Sequence, residues 1–125
     1  MSRTALAAGS RLVHAKSGTV ICSRLLVPRS IVGRGLGLMF RRTLQSDAGM
    51  WLQPCNGIHM FFMNFPIDAV FLDKAMRVVR VRAGLKPWRV IPLVFRANSC
   101  LELPSGRLED LGLSLACGDQ LRLES

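Results

Sequence analysis

Between Cys55 and Asp73 the chain gathers most of the side chains that could do chemistry. The stretch reads Cys-Asn-Gly-Ile-His-Met-Phe-Phe-Met-Asn-Phe-Pro-Ile-Asp-Ala-Val-Phe-Leu-Asp. It holds a thiol (Cys55), an imidazole (His59), two thioethers (Met60 and Met63) and two carboxylates (Asp68 and Asp73). It is also the most apolar long stretch of the protein. An unpaired polar group buried in such surroundings costs ~1–3 kcal/mol, so each of these groups must be bonded, ligated or functional. A soft set of His59, Met63 and Cys55 or Cys100 would suit copper(I). The plainer reading has the methionines filling the core and His59 bonded to a carbonyl or carboxylate. One internal histidine is too little for a closed metal site or a triad, so no metal and no cofactor is expected. Asp68 could serve as a general base or ligand group, or it could cap backbone N–H groups at a turn.

The elements that must position these groups are short and punctuated by Gly and Pro. Arg11–Lys16 and Thr19–Val27 flank Ser17-Gly18 as a hairpin, with Pro28 ending the second strand. Residues 30–42 are Gly-rich and read as a loop. Their glycine spacing does not make a dinucleotide fingerprint. Gly49–Gln53, Ile58–Met63, Ile67–Asp73 and Arg77–Ala83 are strand-length pieces rich in Val, Ile and Phe. If Ile58–Met63 and Ile67–Asp73 pair as a hairpin about Asn64-Phe65-Pro66, His59 and Met63 share one face with Asp68 at its rim. Leu85–Leu93 is a Pro-punctuated loop or edge segment. Ser99–Leu103 alternates as a strand. Ser105–Gly112 reads as a helix of about two turns capped by Ser105, and Gln120–Leu123 as a last strand. Many short strands with one or two short helices predict a mainly β fold, a single compact antiparallel β-sandwich or small barrel. Residues 1–10 are expected to be a flexible N-terminus and residues 11–125 one β-rich domain.

At 125 residues the chain suits one domain with its own core. Half its residues are hydrophobic, which excludes a disordered chain, and no apolar run is long enough for a membrane-spanning helix. The opening residues show no apolar stretch of signal-peptide length, so a cytoplasmic location is expected. The four cysteines form no C-x-x-C pair and are expected to be reduced. The net charge of +9 comes from dispersed basic residues, with no run of four. That pattern predicts weak, non-specific polyanion binding and no sequence-reading motif.

Five strings recur in an order seen elsewhere. They are Gly37-Leu38-Met39-Phe40-Arg41; Gly49-Met50; Met63-x-x-Pro66-Ile67-Asp68-x-x-Phe71-Leu72-Asp73; Leu101-Glu102-Leu103-Pro104-x-Gly106; and Gly118-Asp119-x-Leu121. Together they resemble the prokaryotic "domain of unknown function 192" family over about nine tenths of the chain. Cys55-x-x-Ile58-His59-Met60 before Phe65-Pro66-Ile67-Asp68 is similar to one branch of it. The resemblance implies a compact, mainly β domain and no particular activity. Lys74-Ala75-Met76 stands where the family tends to have Asp-Gly, a departure in the turn after Asp73.

The function expected from these readings is a binding or accessory module for a small ligand, anionic or sugar-like. Its pocket would be formed by His59, Met63 and Asp68 and rimmed by Trp88 and Arg89. A hydrolase or metal-dependent enzyme using His59 and Asp68 is the alternative, with Cys55, His59 and Met63 as the weak metal candidates. A purely structural or protein-interaction module is the third. Partners expected are an unknown small ligand or a protein.

Overall fold

The protein is described from a computed structural model covering residues 4–6, 10–28, 45–60 and 63–124. The Gly-rich stretch 30–42 lies outside the described residues. The elements are β1 (Thr4–Leu6), β2 (Arg11–His14), β3 (Val20–Cys22), β4 (Arg24–Pro28), β5 (Ala48–Leu52), β6 (Ile58–His59), β7 (Ile67–Leu72), β8 (Val78–Leu85), β9 (Val90–Ile91), β10 (Ser99–Pro104), α1 (Arg107–Asp110) and β11 (Leu121–Glu124). Six strands form one open sheet in the order β1-β4-β5-β10-β7-β8. A three-stranded sheet, β11-β2-β3, and a two-stranded ribbon, β6-β9, complete the described strands. Every pair is antiparallel except β4 with β5. The expected mainly β fold is present. The large sheet ends at β1 and β8, so it is open and does not close into a barrel.

The large sheet is covered on both faces. All six residues of β7 are buried, as are the first five of β10. Period-two alternation divides them. Val70, Leu72, Leu101 and Leu103 face Leu12, Ile21, Cys22 and Leu121 of the small sheet and Leu108 of α1. Ile67, Ala69, Phe71 and Cys100 face Ile58, Met60, Met63, Ile91 and Val94 from the ribbon side. A strand buried on both faces needs apolar residues at consecutive positions, which Ala69-Val70-Phe71-Leu72 supplies.

Several local expectations hold. The hairpin at Ser17-Gly18 joins β2 to β3, with Gly18 at φ 74. The turn after β7 is built by Asp73, whose carboxylate Oδ1 accepts the N–H groups of Ala75 at 2.8 Å and Arg77 at 3.0 Å. Met76 takes a left-handed conformation there, φ 64, a region of backbone space that favours glycine.

Two expectations are corrected. The Ile58–Met63 segment does not pair with Ile67–Asp73. Both edges of β7 are already taken, by β10 and β8, so no backbone edge remains for it. Among its described residues Ile58–His59 is a strand, and it pairs with Val90–Ile91, so the Pro-punctuated segment contributes a strand of its own. The helix shortens to Arg107–Asp110 with Gly106 at its N-cap, φ 85, and Ser105 makes no capping bond. Within the first ten residues, Thr4–Leu6 pairs with β4.

Phe71→Ala should cost ~3–5 kcal/mol, because the ring is completely buried at the centre of the ribbon-side core. Gly57→Ala should be destabilising too, since its Cβ would stand 2.4 Å from the Pro92 carbonyl oxygen and 2.7 Å from that of Ile91. Urea denaturation of both variants checks the packing. A loss below ~1 kcal/mol for Phe71→Ala would place that ring outside the core.

Candidate functional site

Asp68 is buried on β7, and its carboxylate is fully engaged. Oδ1 accepts from the backbone N–H of Gly84 at 2.9 Å and of Gly106 at 3.2 Å, and Oδ2 from that of Leu108 at 3.2 Å. Two of these donors belong to the first turn of α1, whose own sequence supplies no side-chain cap. Asp68 therefore caps a helix from a different strand, and the capping role weighed for it in the sequence is the one the geometry uses.

The other sequence-stated candidates part company. His59 is exposed on the ribbon, opposite Val90, while Ile58 and Ile91 point inward. Met60 binds the same ribbon through its backbone: its N–H donates to the Arg89 carbonyl at 2.7 Å, and its carbonyl accepts from Trp88 at 2.7 Å. His59, Trp88 and Arg89 are thus carried by one ribbon. Met63 is buried in the core, and its N–H donates to the Met60 carbonyl at 3.3 Å. His59 is exposed and Met63 buried, so the two do not share one strand face. Asp68 sits in a different sheet from His59, with different partners.

A cleft of ≈ 410 Å³ lies where the chain enters and leaves the ribbon, lined by Pro54, Cys55, Asn56, Gly57, Ala97 and Asn98. Its backbone is held by bonds from Cys55 N–H to the Asn98 carbonyl at 2.9 Å and from Val94 N–H to the Asn56 carbonyl at 2.7 Å. The Cys55 thiol donates to the Gly57 carbonyl at 3.1 Å. The side-chain amides of Asn56 and Asn98 have no hydrogen-bond partner among the described residues. Behind Cys55 the thiol of Cys100 meets it inside the core, and Glu102 follows two residues along β10 on the same face. Glu102 is buried without an ion pair among the described residues. Burial, reinforced by the charge of Cys55, pushes its carboxyl up to about 8. Arg34 and Arg41 lie outside the described residues, and Arg89 is exposed on the ribbon. Burial also raises the Cys100 thiol well above its usual range and that of Cys22 to about 11.

Comparison with known proteins agrees with this architecture. The family model DUF192, described as Uncharacterized ACR, matches residues 13–123. The chain belongs to the DUF192 family. A UPF0127 protein of Pyrococcus horikoshii is 39% identical over 87 residues, covering 66% of this chain and 73% of the relative. One from Thermococcus sibiricus is 29% identical over 118 residues, covering 90% and 74%. A solved protein of unknown function from Novosphingobium aromaticivorans superposes with a TM-score of 0.75 at 24% identity, covering 95% of this chain and 84% of that one, and shows the same fold. A proposed transcription regulator from Sinorhizobium meliloti superposes with a TM-score of 0.70 at 27% identity, covering 90% of each chain.

This DUF192 domain holds one further constellation that the sequence reading missed. His14 is buried, with Nδ1 2.7 Å from Ser17 Oγ and Nε2 2.9 Å from Asp119 Oδ2. The trio resembles a hydrolase triad with the two ring nitrogens exchanged. Its bonds are those of a staple. Ser17 Oγ also accepts the Thr19 N–H at 3.2 Å and donates to Thr19 Oγ1 at 2.8 Å, which commits the hydroxyl to its own turn. Asp119 also accepts the Ala116 N–H at 3.0 Å. That bond and the His14 bond hold its carboxyl below the usual range. The signal available in sequence was weak, because His14 and Asp119 are 105 residues apart.

Two outcomes follow from these assignments. Asp68→Asn should lose ~1–3 kcal/mol, since an amide cannot accept all three N–H bonds and leaves buried donors unpaired. His59→Ala, at an exposed ribbon position, should stay within about 0.5 kcal/mol of the parent. Equal losses in parallel thermal melts would contradict the assignment of Asp68 as the cap. Glu102 generates the second outcome. It keeps its proton up to about pH 8 when folded, against 4.5 as its ordinary value. Between those limits the folded chain binds more protons than the unfolded one, so stability falls as pH rises from about 4.5 to about 8. Melting curves across that range should show the decline, and Glu102→Gln should flatten it. An unchanged slope in the variant would place the titration elsewhere.

Proposed function

We propose that this domain is a binding module for a small, uncharged, polyhydroxyl ligand of the sugar type, seated in the cleft between Pro54–Gly57 and Ala97–Asn98. The observation that carries the reading is the pair of carboxamides, Asn56 and Asn98, lining an open cleft with no partner among the described residues. A carboxamide both donates and accepts, which matches a hydroxyl-rich ligand. The described lining has no cationic side chain, so the uncharged arm of the expected ligand class is favoured over the anionic one. His59 follows Gly57 by two residues, and the ribbon that carries it also carries Trp88 and Arg89, which supports a rim role for those three. Met63 and Asp68 serve as scaffold in this reading. Among the described residues no three His, Cys, Asp or Glu side chains could hold an ion together.

One observation favours a second reading. A buried carboxyl that titrates near neutrality, next to a thiol at the cleft, has the tuning expected of an acid–base group. An enzyme here would use Glu102 in place of the His59 and Asp68 pair.

A panel of mono- and disaccharides screened by saturation-transfer NMR should give at least one binder. Asn56→Ala and Asn98→Ala should each weaken it by about ten-fold, the equivalent of one lost hydrogen bond of ~1–1.5 kcal/mol. No transfer from any member of the panel, or binding that survives both substitutions, would overturn the reading. Turnover of a bound sugar that Glu102→Gln abolishes would establish the enzymatic one.

A further inference from the structure

Among the described residues five large hydrophobic side chains are exposed: Trp88, Val90, Leu93, Phe95 and Leu123. Four of them fall within eight consecutive positions. Leu93 and Phe95 are 66% and 82% exposed, against 5% for Val94 between them. Ile91 and Val94 of the same segment point inward, at 2% and 5%. The backbone is pinned from three sides: Trp88 N–H to the Met60 carbonyl, Met60 N–H to the Arg89 carbonyl, and Val94 N–H to the Asn56 carbonyl, each at 2.7 Å. The segment thus presents a held apolar ridge with its own inner face already buried.

The ridge is also cationic. From Lys86 to Asn98 the chain has Lys86, Arg89 and Arg96 and no acidic residue, and all three cations are exposed. None of them takes part in the ion pairs found among the described residues, Arg11–Glu124, His14–Asp119 and Arg122–Glu124. The Arg96 guanidinium lies 5.6 Å from the centroid of the Phe95 ring, so charge and apolar surface are interleaved.

We propose that the Trp88–Phe95 ridge docks this domain on an anionic lipid bilayer, with Lys86, Arg89 and Arg96 among the phosphates and Leu93 and Phe95 entering the headgroup–acyl boundary. The chemistry selects this occupant. Exposed aliphatic and aromatic side chains gain from acyl chains, flanking cations gain from anionic headgroups, and tryptophan settles at the interface. Val90 and Leu93 offer nothing to the phosphates or bases of a nucleic acid, which needs stacking rings. A second copy of this chain would bring a like-charged ridge, on a protein of net charge +9. The contact is peripheral: no helix among the described residues is long and apolar enough to cross a membrane.

The test uses the full chain with two vesicle preparations, phosphatidylcholine alone and phosphatidylcholine mixed with phosphatidylglycerol. The chain should cosediment with the mixed vesicles and not with the neutral ones. Its tryptophan emission should shift to the blue, and Trp88→Phe should remove that shift, since Trp51 is already half-buried. Leu93→Glu and Phe95→Glu, at exposed positions that leave the fold intact by circular dichroism, should each cut partitioning by roughly ten-fold or more. Replacing each cation by Gln should cut it by roughly five-fold. Absence of binding to the mixed vesicles, or binding that Leu93→Glu and Phe95→Glu leave unchanged, overturns the proposal. So does a dimer in sedimentation velocity that those two variants dissolve, or capture by an acidic polypeptide with no vesicle binding.

Discussion

Three hydrogen bonds to one buried carboxylate hold the two halves of this fold in register. Asp68 sits on β7, in the middle of the sequence and beside the edge strand of the large sheet. It receives N–H groups from β8 and from the turn that leads out of β10 into α1. A four-residue helix cannot sustain itself, because closing its first turn gains few bonds for the freedom lost. Here the anion on β7 satisfies donors that the helix leaves open and adds a favourable charge at its N-terminal end. That fixes α1 over the sheet and lets Leu108 close the core on that side. The left-handed turns at Gly84 and Gly106 bring their amides to the same carboxylate, which is why glycine stands at both.

The large sheet has two different covers, and the difference bears on function. The β11-β2-β3 sheet gives one face a conventional apolar contact, tightened by the His14–Asp119 staple at its end. The other face is covered by a ribbon of two residues per strand and the segments around it. Such a ribbon cannot cover the face completely. Polar and soft groups accumulate under it: Cys55, Cys100 and Glu102. The cleft opens at its hinge with the chain, and its outer surface carries the exposed ridge. A buried, unpaired carboxyl is an expense to stability that neutral protonation reduces, so Glu102 remains a conspicuous group in a core otherwise built of hydrocarbon.

Legibility in the sequence followed the range of the interactions. The central strands were readable because their residue types and lengths leave little choice: Ala69-Val70-Phe71-Leu72 and Cys100-Leu101 are apolar at consecutive positions. The Ser17-Gly18 hairpin and the capping tendency of Asp68 were also readable, since turn chemistry and short polar side chains act locally. The pairing of Ile58–Met63 was misjudged because adjacency along the chain favours a hairpin, while both edges of β7 are claimed by strands from farther away. With that pairing went the pocket assembled from His59, Met63 and Asp68. Glu102 carries no local signal of its state, and only its burial in the fold raises its carboxyl to about 8.

By itself the sequence determined the class of fold, the family, and the residues able to do chemistry, because these depend on composition, periodicity and short motifs. Tertiary structure alone decided which of those residues meet. It sent Asp68 to a helix end and His59 to an exposed ribbon. It joined Cys55 to Cys100, two residues from Glu102, and it turned the apolar residues of a Pro-rich segment alternately inward and outward. Such choices rest on competition between distant strands for the same backbone edges and the same buried surface, and no local pattern records the outcome of that competition.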